Sequence, residues 1–269
     1  MIKPMLARVY DEKTKFYDGE LLHLQPKLNG HRCIITKTER GIQAFSRTGK
    51  EINSIQHILS AIEDSKLPLL GSLDGELYIH GVELQDLSSL IRRNQHDSKL
   101  LTYVMYDKVE PMDYRQRYHI LDTLCKIINH PSVKLVEDTM IRAGMDVHET
   151  IAETRDQYID QGYEGLMIRR DAAFYKQGVR SPSLYKAKTF QDAEFVVRDI
   201  TASKDQRGAW AILHCDGFTV SAPGTLEEKV YILEHIKDYI GRKITVKYYG
   251  YTKNKIPVFP VAMYWRNDD

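Results

Sequence analysis

Along the first two-thirds of the chain, apolar and polar positions alternate in short runs that predict strands. Arg32–Lys37 and Ile42–Ser46 flank a Gly-containing break at Thr38–Gly41, the pattern of a hairpin. Leu73–Ile79 and Leu100–Val109 are rich in aromatic and β-branched residues and predict two further strands. Helical spacing falls between them. Over Glu83–Arg92, the residues Leu84, Leu87, Leu90 and Ile91 share one face. Over Tyr114–Ile128, so do Tyr118, Leu121, Leu124, Cys125 and Ile128. A third helix, Val147–Asp160, stops before Gly162, and a strand returns over Tyr163–Arg170.

The pattern changes after Lys188. From about Asp192 the runs EFVVRDIT, AWAILHC, FTVSA and KITVKYYGYT predict strands around one helix, Leu226–Ile240, closed by Gly241. Short strands with one inserted helix suit a small five-stranded barrel of OB type, a fold often used for nucleic acids. The expected organisation is an α+β domain with antiparallel sheets over residues 1–189, then a small all-β OB-fold domain over residues 190–269.

Composition narrows the picture only slightly. The 269 residues are 42% hydrophobic, enough for packed cores, and no apolar run approaches the roughly 20 residues that a membrane span needs. The start of the chain lacks the apolar stretch of a secretory signal. Cys33, Cys125 and Cys215 are odd in number and far apart, which argues against a disulfide framework and a CxxC metal site. Reduced thiols and a cytoplasmic setting (a host cytoplasm if the source is a virus) are expected. The net charge of +1 does not advertise a nucleic-acid binder, but a local basic stripe would suffice.

The chemistry centres on Lys27, in Gln25-Pro26-Lys27-Leu28-Asn29-Gly30-His31-Arg32. Pro26 sets the backbone before the lysine, and Gly30 permits a close approach to a ligand. A lysine nucleophile needs desolvation or neighbouring cations to lose its proton. Two other lysines, Lys186 and Lys188, lie two apart on an expected strand and so face one way.

Lys27–Arg32 resembles the K-x-D-G-x-R motif of ATP-dependent DNA ligases, RNA ligases and mRNA capping enzymes, the covalent nucleotidyltransferases. Further segments resemble the family's other motifs in order. They are Ser46–Lys50, Leu73–Leu77, Tyr103–Asp107, Glu164–Arg169 and Leu184–Lys188, with Phe259-Pro260 and Trp265–Asp268 near the end. EGLMIR together with YKAK points to ligases, and the whole resembles a small, two-domain DNA ligase of viral or bacterial type.

The resemblance implies a nucleotidyltransferase (adenylation) domain with Lys27 as the nucleophile that carries AMP from ATP. Lys186 and Lys188 would neutralise the α-phosphate and help activate Lys27. Glu76 and Glu164 would contact the ribose or hold Mg²⁺, which favours oxygen ligands beside phosphates. Tyr106 would stack on adenine, worth about 1–3 kcal/mol, with edge hydrogen bonds from the backbone near Gln25 and Pro26. Arg32 and Arg47 offer planar forks for the 5′-phosphate of a nick and its neighbouring backbone. Arg266 and Asp268 would orient the pyrophosphate as the second domain closes.

Asn29 departs from the motif, which usually has Asp there. The short His214–Gly217 turn leaves no room for a DNA-encircling insertion, and Lys27 stands too near the start for a preceding DNA-binding domain, so the expected partner, nicked duplex DNA, would be held by a monomer through two core domains. An RNA ligase, a capping guanylyltransferase and a nick-binding module without catalysis stand as alternatives.

Overall fold

The computed structural model describes residues 2–66, 71–188, 190–203, 208–252 and 254–266. The chain folds as two units, Met1–Lys188 and Thr189–Asp269.

The first unit is built on β1 (Leu6–Val9), β2 (Leu21–Lys27), β3 (His31–Thr38), β4 (Gly41–Ser46), α1 (Gln56–Asp64), β5 (Ser72–Tyr78) and α2 (Leu84–Arg92). There follow β6 (Thr102–Val109), α3 (Tyr114–Ile128), β7 (Val133–Leu135), β8 (Thr139–Arg142), α4 (Val147–Asp160), β9 (Gly165–Arg170) and β10 (Arg180–Ala187). They form two five-stranded sheets, ordered β1-β10-β9-β2-β8 and β4-β3-β5-β6-β7. The expectation of purely antiparallel sheets is corrected: β1 pairs with β10, and β6 with β7, in parallel. Each parallel pair adds an edge strand that arrives by a long connection, which the local pattern does not encode.

Helix α3 begins where Asp113 accepts from the Gln116 amide at 2.9 Å and ends where Asn129 turns left-handed at φ 42°. Its Leu121 packs with α1 and α2 (Ile58, Ile62, Leu87) over the β3–β6 sheet, on Ile35, Leu73 and Leu77. Leu22, Leu24, Leu166 and Ile168 bury the other sheet against Val147, Ile151 and Tyr158 of α4. The chain crosses from one sheet to the other in only three residues, Leu28, Asn29 and Gly30, between β2 and β3. A Cβ on Gly30 would lie 2.4 Å from the Leu77 carbonyl oxygen and 2.7 Å from Glu76 Cγ, so this crossing requires glycine.

The second unit carries β11 (Gln191–Val196), β12 (Asp199–Ala202), β13 (Ala211–Cys215), β14 (Phe218–Ser221), α5 (Leu226–Glu234), β15 (Lys243–Tyr248) and β16 (Val261–Trp265). Its strands form two antiparallel sheets of three, β11-β15-β16 and β12-β13-β14, around a core that includes Val197, Leu213, Ile232 and Ile244. The long helix expected to Ile240 stops at Glu234, and a single 3-10 turn follows over Ile236–Asp238 before Gly241 at φ 89°. Thr225 and Glu228 cap its start reciprocally. Cys33 and Cys215 are buried, Cys125 half-buried, and all three are free thiols.

Candidate active site

Lys27 ends β2, where Pro26 is tolerated because β8 pairs with β2 only as far as Leu24, leaving that side without a ladder to break. His23, Gln25 and Lys27 alternate with Leu22, Leu24 and Pro26, so β2 turns one polar face away from the apolar core. Across the strands, Lys27 registers with Gly165 and Gln25 with Met167 on β9. Met167 registers in turn with Lys186 on β10.

Gly165, at φ 144°, lets β9 start close under β10. A Cβ there would stand 2.4 Å from the Ala187 carbonyl oxygen. This packing brings Glu164 between two lysines. Its Oε2 accepts from Lys27 Nζ and its Oε1 from Lys188 Nζ, while its backbone N–H donates to the Lys27 carbonyl at 2.9 Å. Burial alone would push the Glu164 carboxyl up, but Lys27 and Lys188 outweigh it and bring the group below its ordinary value. Lys186 is held below the usual lysine range, by burial first and then by Lys188 and Lys27.

Lys27 opens onto a cleft of about 550 Å³ between the two sheets of the first unit. Gln25, Arg32, Arg47, Glu76, Tyr106 and Lys186 also line it. Glu164 and Lys188 are not in the lining. Glu164 is joined to the lining by its bond from Lys27, and Lys188 by its bond to Glu164. Burial pushes the Glu76 carboxyl up to about 7 against the pull of Lys27 and Arg32, and Tyr106 donates to Glu76 Oε2 at 3.3 Å. Arg47 is exposed and makes no ion pair among the described residues.

Two side chains at the cleft are held by protein partners. The Arg32 fork pairs with buried Asp74: Nε donates to Oδ1 at 2.8 Å, a second nitrogen donates to Oδ2, and Nη1 donates to the Met5 carbonyl at 2.6 Å. A fully buried carboxylate beside it demands a cation, and Arg32 is the nearest. The Gln25 carboxamide is equally engaged. Its Oε1 accepts from Arg169 Nε at 2.9 Å, and its Nε2 reaches Tyr114 at 2.5 Å and Asp138 at 3.0 Å. These bonds tie the carboxamide into the buried network around Arg169 and Asp138 and leave the backbone of Gln25 and Pro26, where edge contacts are expected, at the cleft wall.

Beneath this floor lies a buried polar network that the motifs do not announce. Asp107 pairs with Arg117 at 2.7 Å and Arg169 at 2.5 Å. His23 bridges Asp138 at 2.6 Å and Asp171 at 2.9 Å. Burial opposes charging of His23, yet the two carboxylates prevail and raise it above its ordinary value. The signal available in sequence was the alternation His23-Leu24-Gln25-Pro26-Lys27, a polar face next to an apolar one.

In the second unit Arg266 Nε donates to Glu194 Oε1 at 2.7 Å. Asp268 lies outside the described residues. Among the described residues no cluster of three or more His, Cys, Asp or Glu side chains is arranged for a metal ion, so the structure does not itself assemble a cage from Glu76 and Glu164.

The family model described as ATP dependent DNA ligase domain matches residues 4–188. The DNA ligase of African swine fever virus (isolate Pig/Kenya/KEN-50/1950) is 31% identical over 230 residues, covering 79% of this chain and 53% of that protein. The chain thus spans about half the length of the curated viral relatives it matches. Among solved structures, a Lig E DNA ligase superposes with a TM-score of 0.78 at 21% identity, covering 97% of this chain and 99% of the other. Chlorella virus DNA ligase-adenylate superposes with a TM-score of 0.55 at 23% identity, covering 100% and 99%. These two likenesses show the fold. The match to the ligase domain over residues 4–188 and the likeness to the viral ligase show that this chain belongs to the ATP-dependent DNA ligase domain family.

Proposed function

We propose that this chain is an ATP-dependent DNA ligase that seals nicks between a 5′-phosphate and a 3′-OH in duplex DNA. The observation that carries the reading is the lysine group around Glu164: Lys27 at the cleft, Lys188 on the same carboxylate and Lys186 beside them. Lys27 Nζ attacks the α-phosphate of ATP, a nitrogen–phosphorus bond forms, and the bond to pyrophosphate breaks. AMP then passes to the 5′-phosphate of the nick, and the 3′-OH displaces AMP to close the backbone. These are transfers to phosphorus, in which positioning and charge neutralisation dominate.

Each side chain has a place in that sequence. Glu164 holds Nζ against the floor until the nucleotide arrives. Lys186 presents a cation to the α-phosphate, and Lys188 shares the charge of Glu164. Tyr106 offers its ring to adenine. Arg32, fixed by Asp74, shapes the cleft and keeps a positive charge near the nick phosphate, while exposed Arg47 is free to grip the neighbouring backbone. Glu76 and Glu164 both feel the Lys27 ammonium, and as carboxylates they are the residues that would hold Mg²⁺, which takes one or two carboxylates beside phosphate oxygens. Bound there, the ion would neutralise phosphate charge.

We assign residues 1–189 to the adenylation domain and residues 190–269 to a domain of OB type. The likeness to Lig E over nearly the whole chain supports this assignment. Arg266 and Asp268 would serve adenylylation from that second domain. A monomer in a reducing, cytoplasmic setting fits three free thiols, and no described helix is long and apolar enough to cross a membrane.

The test is covalent labelling. The protein is incubated with Mg²⁺ and each α-phosphate-labelled nucleotide in turn, beside Lys27→Ala. Label from ATP alone, lost in the variant, is the expected result. Label from GTP would move the reading to capping chemistry. No label from any nucleotide, on folded protein free of bound AMP, would overturn the transferase reading. Matched nicked DNA and RNA substrates then separate the two kinds of ligase through the 2′-OH.

A further inference from the structure

His23 lies on β2, on the same face as Gln25 and Lys27, and the proposed adenylylation gives it no part. Its Nδ1 stands 2.6 Å from Asp138 Oδ2 and its Nε2 2.9 Å from Asp171 Oδ1. A neutral imidazole has one N–H and one lone pair, so it satisfies only one of two carboxylates. Both carboxylates already accept from other donors. Asp138 Oδ1 accepts from Gln25 Nε2 at 3.0 Å, and Asp171 Oδ1 accepts from Arg115 Nε at 2.9 Å. The geometry therefore requires the imidazolium, with each ring nitrogen donating. Burial opposes that charge, but Asp138 and then Asp171 outweigh it and hold His23 above its ordinary value.

The other groups facing the ring are Arg169, its cross-strand neighbour on β9, and Tyr114 and Tyr118 of α3, with ring centroids 4.9 and 6.2 Å away. Met140, its neighbour on β8, brings no charge. Arg169 turns its guanidinium to Asp107 and Gln25, and exposed Arg115 serves Asp171. Among the described residues, Asp138 thus makes no ion pair other than that with His23. Asp138 in turn holds Gln25. The same Gln25 Nε2 meets the Tyr114 hydroxyl at 2.5 Å, and that hydroxyl donates to the Tyr106 carbonyl at 3.1 Å. Gln25 lines the cleft from β2 and Tyr106 from β6, so this chain of bonds joins two walls of the space proposed for adenine.

We infer that protonated His23 is a positioning residue for ATP: through Asp138 and Gln25 it fixes the wall of the cleft that meets the base. The inference rests on the ATP-dependent reading of the cleft. When His23 loses its proton, one of its two bonds goes, and Asp138 keeps an enclosed charge without a counter-charge. Such a charge draws toward solvent, and the Gln25 amide moves with it. The grip on ATP is therefore full while His23 is charged and weakens as pH rises through its raised value. Lys27, Glu164 and Lys188 form a separate set of bonds, so the effect falls on KM for ATP and not on the rate of transfer.

The full chain is compared with His23→Gln and with His23→Gln combined with Asp138→Asn, each checked for folding by thermal unfolding. KM for ATP and the maximum rate of lysine labelling are measured from about pH 6 to 9, a window that spans a raised histidine. Loss of one charge-assisted bond should raise KM in His23→Gln by about ten-fold at the acid end, with the maximum rate little changed. The ratio of variant to wild-type KM should shrink toward one at the alkaline end, because the wild type has by then lost the same charge. That ratio cancels the titration of Glu76 and Lys186, which both proteins share. The double variant removes the stranded charge of Asp138 yet keeps a carbonyl for Gln25, so it should recover most of the affinity. Nitrogen-15 spectra of the wild-type imidazoles should show both nitrogens of His23 protonated at about pH 7. A KM ratio that stays flat with pH overturns the inference, as does a double variant weaker than the single one. If His23→Gln does not fold, the double variant and the nitrogen spectra decide, and a single N–H on His23 sinks the idea. A wild-type chain that takes no label from ATP sinks the transferase reading itself, whereas normal labelling with a flat ratio sinks only the role of His23.

Discussion

Glu164 divides its carboxylate between two lysines, Oε2 accepting from Lys27 Nζ and Oε1 from Lys188 Nζ. The nucleophile and its neighbouring cation are thus held by one side chain, and anything that moves Glu164 moves both. Glu164→Gln keeps the shape but removes the charge that fixes them. Lysine–AMP formation should fall by about 100-fold, the scale of a misplaced reacting group. Single-turnover labelling with ATP measures it, and a rate within a few-fold of wild type would show that Glu164 does not position Lys27.

The pair Arg32–Asp74 predicts a stability effect rather than a catalytic one. Asp74 is fully buried and accepts from Arg32 and from Tyr175 at 2.6 Å. Asp74→Ala leaves a guanidinium without its counter-charge and should cost about 3–5 kcal/mol, read by denaturant unfolding. A loss below about 1 kcal/mol, the scale of an exposed pair, would mean that solvent reaches Arg32.

Gly165 is required by space as well as by φ. Gly165→Ala would set a Cβ 2.4 Å from the Ala187 carbonyl at φ 144°. Strain of about 1–3 kcal/mol is expected, together with displacement of Glu164. Thermal unfolding and labelling should fall together, and normal values of both would refute the packing argument.

Burial raises Glu76 to about 7, so the folded state holds a proton there that the unfolded chain gives up near the ordinary carboxylate value of 4.5. The stability from this group is therefore fully present below that ordinary value and is lost as pH rises through about 7. Thermal midpoints measured from pH 4.5 to about 8 should show a smaller decline with rising pH in Glu76→Gln than in wild type. Parallel curves would place the carboxyl in solvent.

Lys186 is depressed by burial and by two neighbouring lysines, so its positive charge fades at a lower pH than that of an ordinary lysine. The alkaline fall of kcat/KM for ATP, which reports the free enzyme, should begin below the usual lysine range. Lys186→Arg retains charge and should carry that limb to higher pH even if its maximum rate is lower. An unmoved limb would assign the fall to another group.

Helices were legible because their signal is local. The spacing of Tyr118, Leu121 and Ile128 marks α3 from Tyr114 to Ile128, and the structure has it over the same residues. β2 was not legible, although it carries Lys27. Its alternation of His23, Gln25 and Lys27 with Leu22 and Leu24 runs into Pro26, which speaks against a central strand, and only the fold shows that the polar face is enclosed by Asp138, Arg169 and Tyr114. Helix α1 escaped for a different reason: Ile55 supplies no side-chain cap, the first turn has no acid and the last no base, so Gln56–Asp64 lacks the end signals of a helix.

By itself the sequence determined which reactive side chains exist, in what order, and which short segments turn into helices, since those properties depend on residues a few positions apart. Only the tertiary structure decided their partners. Glu164 reaches Lys27 across 137 positions, and Asp74 claims Arg32 across 42. A buried carboxylate takes whichever cation the fold brings within reach, because leaving its charge unpaired costs more than any local preference supplies. The chemistry of each residue was therefore written in the chain, while the freedom of each to use that chemistry was set by packing.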